Sequence, residues 1–213
     1  MKGCLISFEG PEGGGKSTQA RTLAAALRSR GLEVLETREP GGTKLGETVR
    51  GILQNDLAGE PPCDAAEALL FCAARAQLCR NVLAPALSRG AWVVLDRFTD
   101  STLAYQGYGR GFSVDSLRAM NSFATGPVRP NLTLLLDVPP ETGLARALAR
   151  SGSKDRIESA PAEFHRRLRE GYLELAQKEP ERFVVIDATA PEQVVRDRVM
   201  AAVDDRLRPA GRC

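Results

Sequence analysis

Gly10-Pro11-Glu12-Gly13-Gly14-Gly15-Lys16-Ser17-Thr18 fits G-x-x-x-x-G-K-[ST], the spacing a chain needs to wrap a polyphosphate. Glycines let successive backbone N–H groups turn toward phosphate oxygens, and a helix starting at the end of the loop adds the positive end of its dipole. In that arrangement Lys16 reaches the terminal phosphates and the Ser17 hydroxyl ligates Mg²⁺. The competing reading is a glycine-rich turn that holds nothing. The flanking chain favours the first: Cys4 to Phe8 is a short apolar run of the buried-strand kind. Gln19 to Arg30, with Leu23, Ala26 and Leu27 at helical spacing, reads as an amphipathic helix.

Further candidate chemistry follows the later apolar runs. Arg38 opens Arg38-Glu39-Pro40-Gly41-Gly42-Thr43, a turn-rich segment that carries a cation toward the same region. A solvated loop charge is the alternative there. Asp96-Arg97 closes another run. A carboxylate so placed can orient Mg²⁺ or its waters, and the adjacent guanidinium can clamp a phosphoryl group in a fork. A surface ion pair is the plainer possibility. Thr99, Asp100, Ser101, Thr102, Tyr105 and Gln106 form a polar cluster with one aromatic ring, a mixture able to shape a pocket for a sugar and a base.

Phe71 and Arg75, four residues apart on a helix, share a face. They read either as a stacking ring with a base-edge donor, or as a core phenylalanine beside a solvated arginine. Arg146, Arg150, Lys154 and Arg156 surround Ser151-Gly152-Ser153, a basic, glycine-hinged segment suited to a lid over transferring phosphates, or to an exposed helix end. Phe164, Leu168, Tyr172 and Leu175 at helical spacing read as packing, with no chemistry assigned.

The elements that must hold these groups alternate. Apolar runs at Cys4 to Phe8, Glu33 to Thr37, Ala91 to Leu95, Leu132 to Leu136 and Phe183 to Ile186 are separated by helical stretches. This is a β-α pattern, and the near-continuous apolar runs fit strands buried on both faces. The expectation is an α/β fold with three α/β/α layers around a five-stranded parallel sheet. With the glycine-rich loop after the first strand it is of the P-loop NTPase type, carrying a short lid at about 146–158. Ligands of such sheets sit at the carboxyl ends of the strands. Pro61-Pro62 marks a loop before a long helix from about Asp64 to Arg89, and Gly107, Gly109 and Gly111 break up another loop. All 213 residues suit one domain, 1–213. The terminal stretch from Arg208 to Cys213 is expected to fray.

Composition narrows the partners. Against 27 Asp+Glu stand 29 Lys+Arg, a formal charge of +2, which gives no argument for wrapping a nucleic-acid backbone. A small, local anion is expected instead. No apolar run approaches ~18 residues, and Met1-Lys2-Gly3 passes straight into a strand with no leader. A cytoplasmic protein with no membrane partner is therefore expected. Cys4, Cys63, Cys72, Cys79 and Cys213 show no C-x-x-C pairing and read as reduced thiols, with Cys4, Cys72 and Cys79 in the core. His165 is the only histidine, which argues against imidazole-based triads and metal sites. No N-K-x-D motif follows the later strands, which counts against a GTPase-like switch.

Taken together, the motifs resemble those of bacterial thymidylate kinases along nearly the whole chain: Phe8-Glu9-Gly10, Thr37-Arg38-Glu39-Pro40-Gly41-Gly42-Thr43, Phe71-Cys72-Ala73-Ala74-Arg75, Asp96-Arg97-Phe98, Ala104-Tyr105-Gln106-Gly107 and Asp155-Arg156-Ile157-Glu158. The resemblance implies transfer of the γ-phosphoryl of Mg·ATP to dTMP. It places ATP on residues 10–18, thymine on Phe71 and Arg75, the acceptor phosphate on Arg97 with Arg38 nearby, Tyr105 under the deoxyribose, and Thr102 and Gln106 at the base. Glu12 stands where another type of the family carries arginine, which implies that an arginine of the lid assists transfer. Arg150 and Arg156 are both candidates, and spacing does not choose between them. Lys16, Glu12, Asp96 and Arg97 complete the catalytic set, and a homodimer is implied.

Overall fold

The computed structural model describes residues 3–55, 59–152 and 156–207. Its strands are β1 (Cys4–Glu9), β2 (Val34–Arg38), β3 (Trp92–Asp96), β4 (Leu132–Asp137) and β5 (Phe183–Asp187). They form one parallel five-stranded sheet in the order β2-β3-β1-β4-β5. Parallel neighbours need long crossovers, and helices supply them. In chain order these are α1 (Lys16–Ser29), α2 (Lys44–Asn55), α3 (Asp64–Leu78), α4 (Ala84–Ser88), α5 (Thr99–Thr102), α6 (Val114–Thr125), α7 (Pro140–Ser151), α8 (Ala162–Lys178) and α9 (Glu192–Arg206).

Alternation of side chains along each strand sorts the core into two layers. Ile6, Phe8, Val94, Leu134 and Leu136 pack against Leu23 and Leu27 of α1 and Val195 and Val199 of α9. On the opposite face, Leu5, Val93 and Leu95 meet Leu78 and Leu83, while Leu135 meets Leu168, Tyr172 and Leu175 of α8. The three expected layers are present. The second face is the one that also receives polar strand residues. Ser7, Glu9 and Thr133 are fully buried, with Ser7 Oγ 3.0 Å from Thr133 Oγ1, and Arg182 donating to Thr133 at 2.6 Å and to Asp100 at 2.7 Å.

Two expectations are corrected. The stretch expected as one helix from Asp64 to Arg89 is divided: α3 runs into a π-helical segment, Cys79–Leu83, and then into α4. Pro85 sits in the first turn of α4. Its ring crowds the carbonyl four residues back and it has no N–H to donate, so the wider turn ahead of it relieves the strain. The glycines expected to break up a loop are the second correction. Leu103–Gly109 continues α5 as a π-helical segment, and a Cβ on Gly109 would lie 2.5 Å from a Phe164 ring carbon. That glycine makes room for α8, so Tyr105 and Gln106 stand on a packed helical segment. Cys4, Cys72 and Cys79 are buried free thiols, as expected. Cys213, the terminal stretch from Arg208, and Ser153, Lys154 and Asp155 of the expected lid lie outside the described residues.

Candidate active site

The glycine-rich loop turns directly from β1 into α1. Gly13 has φ +68°, and a Cβ there would fall 2.1 Å from the Gly143 carbonyl oxygen, so no other residue lets the loop lie this close to α7. The loop turns its one ammonium inward. Lys16 is 7% exposed and donates from Nζ to the Pro11 carbonyl at 2.6 Å. Burial, reinforced by Arg97, pushes its pKa down to about 8, against the pull of Asp96 and Glu12. Ser17, one residue on, donates from Oγ to Asp96 Oδ2.

Sheet register brings the other charged groups to the level of this loop. Asp96 pairs with Phe8 of β1 on one side and with Arg38 of β2 on the other. Arg97 follows with φ +68°, a conformation uncommon for a non-glycine residue and held here by its own contacts. Its backbone N–H donates to the Phe8 carbonyl at 2.9 Å. Nη1 donates to Gly10 O and Ser101 Oγ, both at 3.2 Å, and to Tyr172 Oη at 3.4 Å, and Nη2 reaches Glu12 Oε1 at 3.4 Å. Its Cζ stands 4.9 Å over the Tyr105 ring, and the Tyr105 hydroxyl donates to Glu12. Burial on its own would raise the Glu12 pKa, but Arg97, Lys16 and Tyr105 together hold it below the usual carboxylate value.

Between these groups lies a cavity of about 240 Å³. Its lining contains Glu12, Gly13, Gly15, Lys16, Ser17 and Thr18 from the loop, Arg38, Asp96 and Arg97 from the strand ends, Phe71 from α3, Thr102, Tyr105 and Gln106 from α5 and its extension, and Arg150 from α7. Most of the residues expected at the site are therefore together. Arg38 is also paired with Glu47, at 3.0 Å.

Arg75 is not on the cavity wall. It is 1% exposed and donates from Nε to Glu39 at 2.8 Å, from Nη1 to Thr102 Oγ1 at 2.8 Å and to Asn121 Oδ1 at 2.7 Å, and from Nη2 to Phe98 O at 3.1 Å. It meets the site through Thr102 and Glu39, which both line the cavity. The other two arginines of the expected lid that lie among the described residues also point elsewhere. Arg146 donates to the carbonyls of Ala188 and Thr189, and Arg156 pairs with the buried carboxylate of Glu67, which also accepts from Gln106 at 2.8 Å and from Arg110 at 3.0 Å.

Seven lining residues lie outside the expected set: Glu39, Pro40, Arg50, Gln54, Ser101, Ile157 and Glu158. Ser101 was visible in the polar cluster after β3. Arg50 and Gln54 ride on α2, and only the fold brings that helix to the cavity.

A parallel sheet in this order, with a glycine-rich loop leading into α1 and the cations Lys16, Arg38 and Arg97 converging on its carboxyl edge, defines a P-loop phosphate-binding protein of the α/β class. The chain belongs to the thymidylate kinase family: residues 8–199 match the family model described as "Thymidylate kinase". It is 51% identical over 205 residues to a thymidylate kinase of Deinococcus radiodurans, covering 96% of this chain and 98% of that one. It is likewise 51% identical over 204 residues to one from Thermomicrobium roseum, covering 96% of each. Among solved structures, a thymidylate kinase from Ehrlichia chaffeensis superposes with a TM-score of 0.78 at 32% identity, over 96% of this chain and 99% of that one.

Proposed function

We propose that this protein transfers the γ-phosphoryl of ATP to dTMP, giving dTDP and ADP. The observation that carries the reading is the register that sets Phe8, Asp96 and Arg38 level across three adjacent strands, with Lys16, Arg38 and Arg97 lining one cavity that runs from the loop to Phe71, Thr102 and Gln106. Phosphoryl transfer asks little covalent chemistry of a protein, so alignment and charge stabilisation are the task. Lys16 and the loop amides from Gly10 to Thr18 would bind the β- and γ-phosphates. Arg97, with Arg38 beside it, would hold the acceptor phosphate in line. Phe71 would stack on the base, Thr102 and Gln106 would face its polar edge, and Tyr105 would lie under the sugar. Arg75 would serve this pocket by fixing Thr102.

The residues at the loop fit Mg²⁺. Ser17 and Asp96 offer hard oxygen donors, and among the described residues no group of three or more His, Cys, Asp and Glu forms a closed cage, as suits an ion that keeps waters and phosphates in its shell. Ser17, with Asp96 behind it, would hold the ion. When bound it supplies charge neutralisation across the β- and γ-phosphates.

Arg150, on the cavity wall, would be the lid arginine that meets the moving group, whereas Arg156 is anchored to Glu67. The reading extends to one domain over 1–213, a lid at about 146–158, a cytoplasmic location and a homodimer. For the dimer, α3 and α6 offer Leu69 and Phe123, which are 60% and 93% exposed. ADP release measured across a panel of nucleoside monophosphates tests the activity. dTMP should react fastest, and a panel led by AMP or UMP would assign the site to another nucleotide.

A further inference from the structure

Glu9, the last residue of β1, is fully buried (0% exposed) one residue ahead of the phosphate loop. Its Oε1 accepts from the Phe98 backbone N–H at 2.8 Å, and its Oε2 accepts from Ser101 Oγ at 2.6 Å and Tyr172 Oη at 3.1 Å. These two hydroxyls are the ones to which Arg97 Nη1 donates, at 3.2 and 3.4 Å. Each hydroxyl has a single proton but two lone pairs. When Glu9 is ionised it takes both protons, so both oxygens present lone pairs to the guanidinium. A protonated or amide group at position 9 is itself a donor. It occupies a lone pair of one hydroxyl and redirects that hydroxyl's proton, toward Arg97 or toward the other hydroxyl 2.9 Å away, so the pair loses the orientation that the carboxylate imposes.

We propose that Glu9 is a positioning residue for the acceptor phosphate: through Ser101 and Tyr172 its carboxylate holds the Arg97 guanidinium in the orientation that receives the phosphate of the monophosphate substrate. The inference rests on the transfer activity proposed above. It uses three groups on three separate elements, β1, α5 and α8, which the mechanism otherwise leaves without a part. Burial pushes the Glu9 pKa up to about 7, with Asp100 adding to the rise and Ser101, Arg97 and the Phe98 N–H drawing it back. Lys16 and Tyr172 are the other titratable groups that sense its charge. The plainer role, in which Glu9 only ties down the turn after β3 through Phe98, would move stability and leave substrate affinities alone.

Wild-type turnover of dTMP is measured first. Its absence overturns the proposed activity and this inference with it. Given turnover, Glu9→Gln should raise KM for dTMP about tenfold, the scale of a lost charge-assisted hydrogen bond, while KM for ATP stays within about twofold. Ser101→Ala with Tyr172→Phe should do the same, and adding Glu9→Gln to that pair should change little further, because the three act as one unit. An unchanged KM for dTMP in Glu9→Gln, or an equal rise for both substrates, overturns the proposal while leaving the activity standing. So does full additivity of the three substitutions. Should Glu9→Gln fail to fold, the hydroxyl pair decides alone, and a normal KM for dTMP in it is again fatal.

Discussion

Arg75 and Glu39 make a sealed ion pair beneath the base-facing wall: the guanidinium meets Glu39 Oε2 at 2.6 Å, and the two side chains are 1% and 4% exposed. Burial alone would depress the arginine and raise the acid, and each is the other's main compensation. Removing one partner leaves an uncompensated buried charge. Arg75→Ala should therefore lower unfolding stability by about 3–5 kcal/mol, and Arg75→Met combined with Glu39→Gln should recover part of that loss. Urea unfolding of the three proteins measures it. A stable Arg75→Ala protein impaired only in base selection would show that Arg75 leaves this pair to contact substrate.

Phe71 differs from Arg75 by one helical turn and by depth, since its ring lines the cavity. Phe71→Ala should raise KM for dTMP by the equivalent of about 1–3 kcal/mol, the scale of base–aromatic stacking, with KM for ATP unmoved. Steady-state kinetics with each substrate varied in turn reads this directly.

Lys16 should make nucleotide binding depend on protons. Its pKa of about 8 in the free protein must rise when a polyphosphate settles beside it, so binding near pH 8 draws in roughly half a proton per site. Calorimetry of ATP binding in buffers of different ionisation enthalpy measures the uptake. Binding without uptake would mean that Lys16 does not touch the phosphates. Lys16→Ala should cut kcat on the order of 10²-fold or more, as loss of a charge-stabilising group does, and keep the fold.

Arg150 and Arg156 should separate kinetically. Arg150 lines the cavity and Arg156 pairs with Glu67. Arg150→Ala should lower kcat on the order of 10²-fold with little change in KM, whereas Arg156→Ala should affect kcat by much less. The reverse ranking would reassign the transfer role.

Glu9 should also shape the pH dependence of stability. Its folded pKa, about 7 against an ordinary 4.5, is raised, so the folded state keeps a proton that the unfolded chain gives up. The stabilising contribution is whole below about pH 4.5 and is lost as pH climbs through about 7, a change on the order of 3 kcal/mol. Glu9→Gln lacks this slope. The stability of the variant relative to wild type should improve from about pH 5 to about pH 8, and a constant difference would contradict the assignment.

Much of this was legible in the chain. The strands show because their apolar runs are bounded by turn residues, and Lys16, Ser17, Asp96 and Arg97 show because their place at or after a strand's end puts them on the cavity at the sheet's carboxyl edge. What local pattern misses is depth. Spacing put Phe71 and Arg75 on one face of α3 but could not tell which would reach the cavity, because the partner that draws Arg75 inward, Glu39, lies 36 positions away. Tyr172 has the periodicity of a packing residue and does pack, yet its hydroxyl touches Glu9, Ser101 and Arg97. Glu9 itself carried a signal, an acid directly closing an apolar run. The extension of α5 was masked by its glycines, one of which admits a neighbouring ring.

The pairing of Phe8, Asp96 and Arg38 across adjacent strands divides the labour of the molecule. Groups that would grip phosphate are mounted on a hydrogen-bonded lattice that cannot shear without breaking the sheet, whereas those that would recognise the nucleobase ride on helices packed against it. Selection for a different base can therefore rework α3 and the extension of α5 and leave the reacting centre intact, so a change of substrate need not begin with a loss of catalytic power.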